Sequence, residues 1–345
     1  MQATKIIGLI IASLFVIWVI AFISANRFAT APVFQPVKFS GAPSAGVMPA
    51  DEFVITSWNV GYAGMGKEAD LVMDSGQQSR PESADMVRRN GEAIGKYLAD
   101  HPADIFLLQE TAAPSSNNYR YDLNSKIESV LDGYQHIYDA DAQTRLLPPP
   151  VNLSIGNSIF TKHDVSRGEL RRLPLEPTFV YGLFRKSYAM QIVRMTDYAE
   201  NEWVIVNIHL SAFDSVENNV REKQLKAVIS FAEAEFARGA HVIVGGDWNL
   251  RLSPDTVPHT TPDEFLFWIR DLPAGVTPHG WGWAVDPSRP TVRTAHKPYV
   301  AGENATLIID GFLYSPNVQP LAVSTADLEF ANTDHHPVTM RLRAR

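Results

Sequence analysis

Six short apolar runs in this chain break off at, or follow directly on, a polar or ionisable side chain. Phe53-Val-Ile-Thr-Ser-Trp runs into Asn59, Ile105-Phe-Leu-Leu-Gln into Glu110, and Trp203-Val-Ile-Val-Asn-Ile into His209. Val242-Ile-Val-Gly-Gly runs into Asp247, with Asn249 two residues on, and Leu307-Ile-Ile runs into Asp310. The last run is preceded by Asp334-His335-His336. A single strand-end Asp is usually a turn or helix cap. Six runs with one kind of ending are harder to attribute to capping, because a charge at a buried strand end is costly to desolvate unless it is paired or bound to metal. If the strands share a sheet, their ends converge on one edge, where a site can be built.

The surrounding pattern is α/β. Strands are expected at Phe53–Asn59, Ile105–Gln109, Ser158–Thr161, Ala189–Met195, Trp203–His209, Val242–Gly245, Leu307–Tyr314 and Pro337–Leu342, and helices at Ala84–Ala99 and Val216–Ala237. In the second helix Leu225, Val228, Ile229, Ala232 and Phe236 recur on one face, with Glu217, Arg221, Glu233 and Glu235 elsewhere. The chain is 45% hydrophobic and 20% charged, and residues 51 to 345 show no second linker or repeat, so they read as one domain. Residues 255 to 305, rich in Pro, Gly and Trp, resist assignment; loops of that length inside a domain usually carry function.

The N-terminal residues 1 to 27 stand apart. Ile6 to Ile23 is apolar apart from Gly8 and Ser13, between Lys5 and Arg27, and as a helix would span about 27 Å, close to a bilayer's hydrocarbon thickness. A transmembrane anchor is the first reading. A cleaved signal peptide, with Ala29-Thr30-Ala31 as its site, and a buried soluble helix are the alternatives. The nearly balanced flanks do not fix orientation, and an extracytoplasmic catalytic domain, or a secreted one after cleavage, is expected. Residues 28 to 50, with four prolines and two glycines, read as an extended tether.

Net charge is −8, so no overall basic field draws the protein to nucleic acid or anionic lipid, although a local cleft or a bound cation can do so. There is no cysteine, which removes thiolate ligation and cysteine nucleophiles. The strand-end residues are Glu, Asp, Asn and His. Carboxylate and amide oxygens suit a hard cation such as Mg2+, with Mn2+ able to substitute, rather than zinc. A phosphoryl centre needs such a cation, an oriented water and stabilisation of charge on its non-bridging oxygens.

Taken in order, Ser57-Trp58-Asn59-Val60, Leu108-Gln109-Glu110, Asn207-Ile208-His209-Leu210-Ser211, Gly246-Asp247-Trp248-Asn249, Ile309-Asp310-Gly311 and Asp334-His335-His336-Pro337-Val338 resemble the motifs of endonuclease/exonuclease/phosphatase proteins. The resemblance covers residues 53 to 343. It implies a four-layer α/β/β/α sandwich of two packed mixed sheets, and metal-assisted in-line attack of water on a phosphoester. Glu110 is then the principal Mg2+ ligand, with Asn59 and Asp334 near the metal or bridging to it through water. Asp247 orients or deprotonates the water, and Asn249 holds the phosphate or that aspartate. His335 stands beside the scissile phosphate with Asp310 fixing its tautomer, and His209 donates to a phosphate oxygen.

Several weaker candidates also have a plainer reading. Asn157 sits near the phosphate or caps a strand. Arg185 and Lys186, which precede a strand, and Arg289 and Arg293, in the long loop, are candidate contacts to phosphate oxygens. Asp74 and Arg80 line the cleft or a loop. Trp281 and Trp283 touch ligand or pack their loop down. His336 is a surface or supporting residue. The substrate expected first is nucleic acid. A phospholipid or sphingomyelin phosphodiester, reached through the anchor, and a phosphoinositide or inositol phosphate are alternatives, and a non-catalytic binding relative is a remote one. No obligate protein partner is implied.

Overall fold

The computed structural model describes residues 2–27, 33–144, 152–175, 186–212, 219–254 and 257–345. Helix α1 (Gln2–Arg27) is followed by β1 (Phe34–Val37), β2 (Phe53–Asn59), α2 (Ala84–Asp100), β3 (Ile105–Ala112), α3 (Leu123–Val130), β4 (Gln135–Gln143), β5 (Ser154–Thr161) and β6 (Arg167–Arg172). Then come β7 (Ala189–Thr196), β8 (Glu202–His209), α4 (Val220–Phe236), β9 (His241–Asp247), β10 (Gly282–Ala284), β11 (Val292–Arg293), β12 (Thr306–Leu307), β13 (Asp310–Tyr314), β14 (Val318–Thr325) and β15 (Val338–Ala344).

Two sheets form the body. One runs β1-β6-β7-β8-β9-β13-β10, the other β14-β15-β2-β3-β5-β4, and each has one parallel pair, β8 with β9 and β2 with β3. Strict alternation along the strands sorts their side chains. Phe53, Ile55, Ile105 and Leu107 face Ile205, Trp203, Ile243 and Phe312 across the space between the sheets. The opposite faces carry helices: Val204, Val206, Val242 and Val244 pack under Leu225, Val228 and Ala232 of α4, while Phe106, Leu108 and Phe160 pack under α2 and α3. The result is the four-layer sandwich, with buried polar bridges between the sheets. Asn207 of β8 accepts from Gln109 and donates to the Leu108 and Ser158 carbonyls, joining the sheets where apolar packing gives way to the site.

The stretch read as a tether is largely bound to the domain. β1 pairs antiparallel with β6, Ser40, Gly46 and Met48 bridge to His136, His163 and Asp197, and Met48 is fully buried. Pro36 is tolerated because β1 is an edge strand, where a missing N–H breaks no ladder. The strands β4, β6 and β14 lie at or next to sheet edges and carry polar residues on their open sides, which hides their periodicity. The run expected as one strand from Leu307 to Tyr314 is two. At Ile309 and Asp310 the backbone N–H groups donate to the Thr291 hydroxyl, and the Ile308 and Ile309 carbonyls accept from Leu252 and Trp248. The helix expected from Val216 starts at Val220, after Asn219 in the left-handed region (φ +37°); residues 216–218 lie outside the described ones.

Helix α1 includes a span, Thr4–Ala25, apolar and long enough to cross a membrane or to act as a signal sequence, and none of it is buried against the protein. The Ala29-Thr30-Ala31 segment lies outside the described residues.

Candidate active site

The inward-facing rows of the sandwich lead from the core into a cleft. On β2 the row is Phe53, Ile55, Ser57, Asn59; on β8 it is Trp203, Ile205, Asn207, His209; on β9 it is Ile243, Gly245, Asp247. Each begins apolar and ends polar, at the same end of the sandwich. β13 runs antiparallel to β9 and starts there, with Asp310 opposite Asp247, and Asp334 and His335 precede β15 in the same way. Gly246 (φ +147°) is required, since a Cβ there would lie 2.0 Å from the Ile208 carbonyl oxygen of β8.

Glu110 reaches the cleft by a different route. Alternation with Phe106 and Leu108 would send it toward the helices. A bulge between Leu108 and Thr111 resets the register, and Glu110 takes φ +54°, which turns its side chain into the cleft.

The cleft, of about 270 Å3, is lined by Asn59, Glu110, His209, Asp247, Asn249, Asp334 and His335, so these strand-end residues do come together. Asp247 is held on both oxygens: Asn59 Nδ2 donates to Oδ2 at 3.0 Å and the Asn249 backbone N–H to Oδ1 at 2.9 Å. The Asn59 Oδ1 accepts from the Gly61 N–H, and the Asn249 amide donates to the Leu210 carbonyl. Arg221, expected off the apolar face of α4, is buried instead and clamps the Asn249 carbonyl. His335 Nδ1 lies 2.9 Å from Asp310 Oδ2, and its Nε2 is 3.7 Å from Asp247 Oδ2. His209 Nε2 sits 3.6 Å from Asp247 and 4.0 Å from Glu110.

Electrostatics follow from this crowding. Burial, then the neighbouring Asp334, push Glu110 up to about 7. Burial and then Asp310 push Asp247 up to about 7. For His335, burial opposes the charge, but Asp310, Asp334 and Asp247 together outweigh it and lift the imidazole to about 10. Burial, then Lys186 and His335, hold His209 well below the ordinary histidine range, so it is neutral.

These directions carry a stability consequence. A raised value in the folded state means that the folded chain holds its proton more tightly than the unfolded one. The stabilisation from Glu110 and Asp247 is therefore complete below the ordinary carboxylate value of about 4, and is lost as pH rises through about 7. That from His335 is complete below about 6.5 and lost toward about 10. Without divalent cation the Tm is expected to fall from about pH 5 to 8, and saturating Mg2+ is expected to flatten that slope. Thermal melts across pH, with EDTA or Mg2+, measure it; a metal-free Tm rising over that range would contradict the assignment.

The weaker candidates separate. Lys186 lines the cleft, with Nζ 5.6 Å from the Tyr188 ring centre, and Arg185 lies outside the described residues. Arg293 borders the cleft but is buried, donating to the Gly66 and Thr294 carbonyls. Arg289 pairs with Asp327 at 2.7 Å and is not part of the lining, and Arg80 stacks on Tyr119. Asn157 stands behind the wall, its amide reaching Asp141. Asp74 lines the cleft and is pushed up to about 6 by burial and then Asp334. His336 is buried rather than at the surface, accepting from the Phe330 N–H and stacked on that ring.

Trp281 and Trp283 pack their loop: Trp281 meets Phe236 and Trp283 meets Trp248, both edge to face. Trp281→Ala is expected to cost about 3 kcal/mol of stability, as for other buried tryptophans, and to leave KM unchanged. Denaturant melts and steady-state kinetics check both parts. Missed in the sequence were Tyr62, Asn117 and Asp141, all in the lining. Asp141 lies on the unrecognised edge strand β4, and burial pushes it up to about 6. Tyr62 sits at φ +41° in a turn with no pattern to mark it.

A two-sheet sandwich whose inner layer ends in buried carboxylates, an Asp–His pair and a second, neutral histidine is the scaffold of a phosphoester hydrolase. The chain belongs to the Endonuclease/Exonuclease/phosphatase family, whose model matches residues 56–329. Solved structures agree in fold. A family protein from Beutenbergia cavernae DSM 12333 matches at 18% identity and TM-score 0.57, over 85% of this chain and 72% of that one. TDP2 from Caenorhabditis elegans matches at 17% and 0.53, over 86% and 76%. The human Nocturnin catalytic domain matches at 15% and 0.51, over 93% and 99%. No curated protein matches the sequence.

Proposed function

We propose that this chain is a Mg2+-dependent phosphodiesterase in which Asp247 activates water and His335, paired with Asp310, stabilises the charge developing on phosphate. The observation that carries the reading is the arrangement in one cleft of an aspartate held on both oxygens by Asn59 and Asn249, 3.7 Å from the ring of a histidine that Asp310 fixes at 2.9 Å; the crowded carboxylates favour the protonated form of that ring.

A divalent cation fits the donors present. Glu110 and Asp334 are oxygen ligands whose mutual repulsion, after burial, raises Glu110; a hard cation relieves it. Asp247, Asp310 and His335 also cluster tightly enough to hold an ion, but the His335 Nδ1 is occupied by Asp310 and the ring favours its charged form. Glu110 and Asp334 are therefore the proposed ligands, with Asn59 in the same lining. When bound, the metal polarises the phosphoryl group.

The protein's own groups do the rest. Asp247 takes a proton from water as its oxygen bonds to phosphorus. One P–O ester bond breaks, and the leaving alkoxide takes a proton from solvent, to which Asp247 afterwards returns its own, giving a phosphomonoester and an alcohol. Neutral His209 and charged His335 donate to the non-bridging oxygens, and Asn249, locked by Leu210 and Arg221, keeps Asp247 aimed.

Nucleic acid is one substrate reading, supported by the nuclease type of the family. A lipid headgroup is the other, favoured by the apolar helix α1. A panel of plasmid DNA, RNA, sphingomyelin, phosphoinositides and bis(p-nitrophenyl) phosphate, with Mg2+ or Mn2+ and with EDTA, tests the proposal. Metal-dependent release of a phosphomonoester from at least one diester is expected; turnover that persists in EDTA, or none on any diester, sinks it.

A further inference from the structure

We propose that the mouth of the catalytic cleft is a membrane-docking surface, applied to the bilayer that carries α1, so that the phosphodiester entering the cleft belongs to a lipid headgroup. This rests on the hydrolase reading above and names its substrate.

The strand directions supply the first argument. β1 is antiparallel to β6, β6 to β7 and β7 to β8, with Phe34 opposite Arg171, Arg172 opposite Ala189 and Gln191 opposite Asn207. The start of β1 therefore lies at the end of the sheet where β8 and β9 finish in His209 and Asp247. Three strand spacings, about 14 Å, separate β1 from β8. Residues 28–32 join α1 to Val33; chain of that length reaches at most about 20 Å. A domain of this size is about 50 Å across. Because residues 33 to 48 are bound to the domain rather than free, so short a connection holds the cleft end, not the opposite end, against the bilayer.

The rim is the second argument. Val72 and Met73 line the cleft and stay 54% and 39% exposed. Val33, 72% exposed, and Leu175, 38%, lie at the same end, at the start of β1 and just beyond β6. Scattered apolar exposure is ordinary, but Val33 and Leu175 lie beside the tether, and Val72 and Met73 at the cleft itself. Inside, small apolar clusters form parts of the wall: Met65, Leu71 and Ile155 in one, Trp268, Val292 and Ile309 in another.

The third is charge. Among the described residues the lining includes two Lys or Arg side chains, Lys186 and Arg293, and Arg293 is committed to carbonyls. A nucleic-acid strand, which binds through several phosphates, finds little to hold. A headgroup offers one phosphodiester on an apolar body, which suits the single lining lysine, Lys186, and an apolar wall.

Because the chain lacks cysteine, single-cysteine labelling is clean. The full chain, in vesicles of phosphatidylcholine and phosphatidylglycerol, is labelled with an environment-sensitive fluorophore at Met73→Cys, at Val72→Cys as a second rim position, or at Tyr198→Cys, an exposed residue on the β7–β8 turn at the opposite end. Spin-labelled acyl chains are expected to quench the rim probes and not the one at 198; rim probes left unquenched overturn the docking. Separately, a Gly/Ser insertion of about 20 residues between Ala31 and Pro32 adds an r.m.s. reach of about 25 Å. It is expected to lower the rate on phospholipid in the same vesicle about tenfold, leaving bis(p-nitrophenyl) phosphate turnover unchanged. An unchanged lipid rate, or cleavage of added plasmid DNA with the lipid untouched, overturns the proposal. If none of the three substrates is hydrolysed with Mg2+, the hydrolase reading fails instead, and quenching still decides the docking.

Discussion

Replacing His335 with alanine is expected to lower kcat by about a hundred- to ten-thousandfold, the range for a positioned acid–base group. The ring is placed by Asp310 at 2.9 Å and presents Nε2 toward Asp247. Three carboxylates outweigh the burial that would otherwise neutralise it. In the proposed mechanism it therefore enters the reaction charged, as a donor where negative charge accumulates. Alanine also strips Asp310 of its partner: that carboxylate is fully buried and its Oδ1 already lacks one. Breaking such a pair costs about 3–5 kcal/mol, so a lower Tm is expected alongside the rate loss. His335→Gln separates the two effects, since an amide can still donate to Asp310 but carries no positive charge. Its stability is expected to recover in part while its rate stays low. Kinetics and melts of both variants decide the matter; near-normal turnover in His335→Gln would move the role to His209.

Glu110→Gln is the second large effect, and here stability and activity part company. Turnover is expected to fall and the Mg2+ concentration for half-maximal rate to rise, because the amide is a poorer ligand for a hard cation. The metal-free protein is expected to become more stable above about pH 7. The wild type must deprotonate a carboxylate that burial and Asp334 hold near 7, and the variant has no such charge to desolvate. Mg2+ would then stabilise the wild type, by about 2.7 kcal/mol at a hundredfold excess over Kd, and the variant far less. Melts with and without Mg2+ near pH 8 provide the comparison. An unaltered Mg2+ requirement would refute the ligand assignment.

Much of the centre was readable because a strand's period is fixed. Asn59, His209 and Asp247 each end an inward apolar row and Asp310 opens one, so sequence alone could place them at one end of the sandwich. The cations were not readable. Arg289 and Arg293 look alike in the chain, yet one ends in a surface ion pair and the other is buried on backbone carbonyls. A guanidinium's partner is a matter of distance in space, and no spacing records it. Asp141 stayed hidden for a related reason, since an edge strand with a wet side has no apolar period to announce it.

By itself, then, the sequence determined the α/β class, the order of the strand-end residues and the chemistry that their types allow. Alternation and burial act locally and leave their mark on the chain. Only the tertiary structure decided how Glu110 meets the others, because a bulge after Leu108 reverses the direction that alternation assigns it. Only it bound residues 34 to 37 to the edge of one sheet, through ladder hydrogen bonds with β6, and Ser40, Gly46 and Met48 to His136, His163 and Asp197, rather than through any property of Pro36 or its neighbours. Both outcomes are set by pairing between segments far apart in the chain, and pairing is where short-range pattern stops informing.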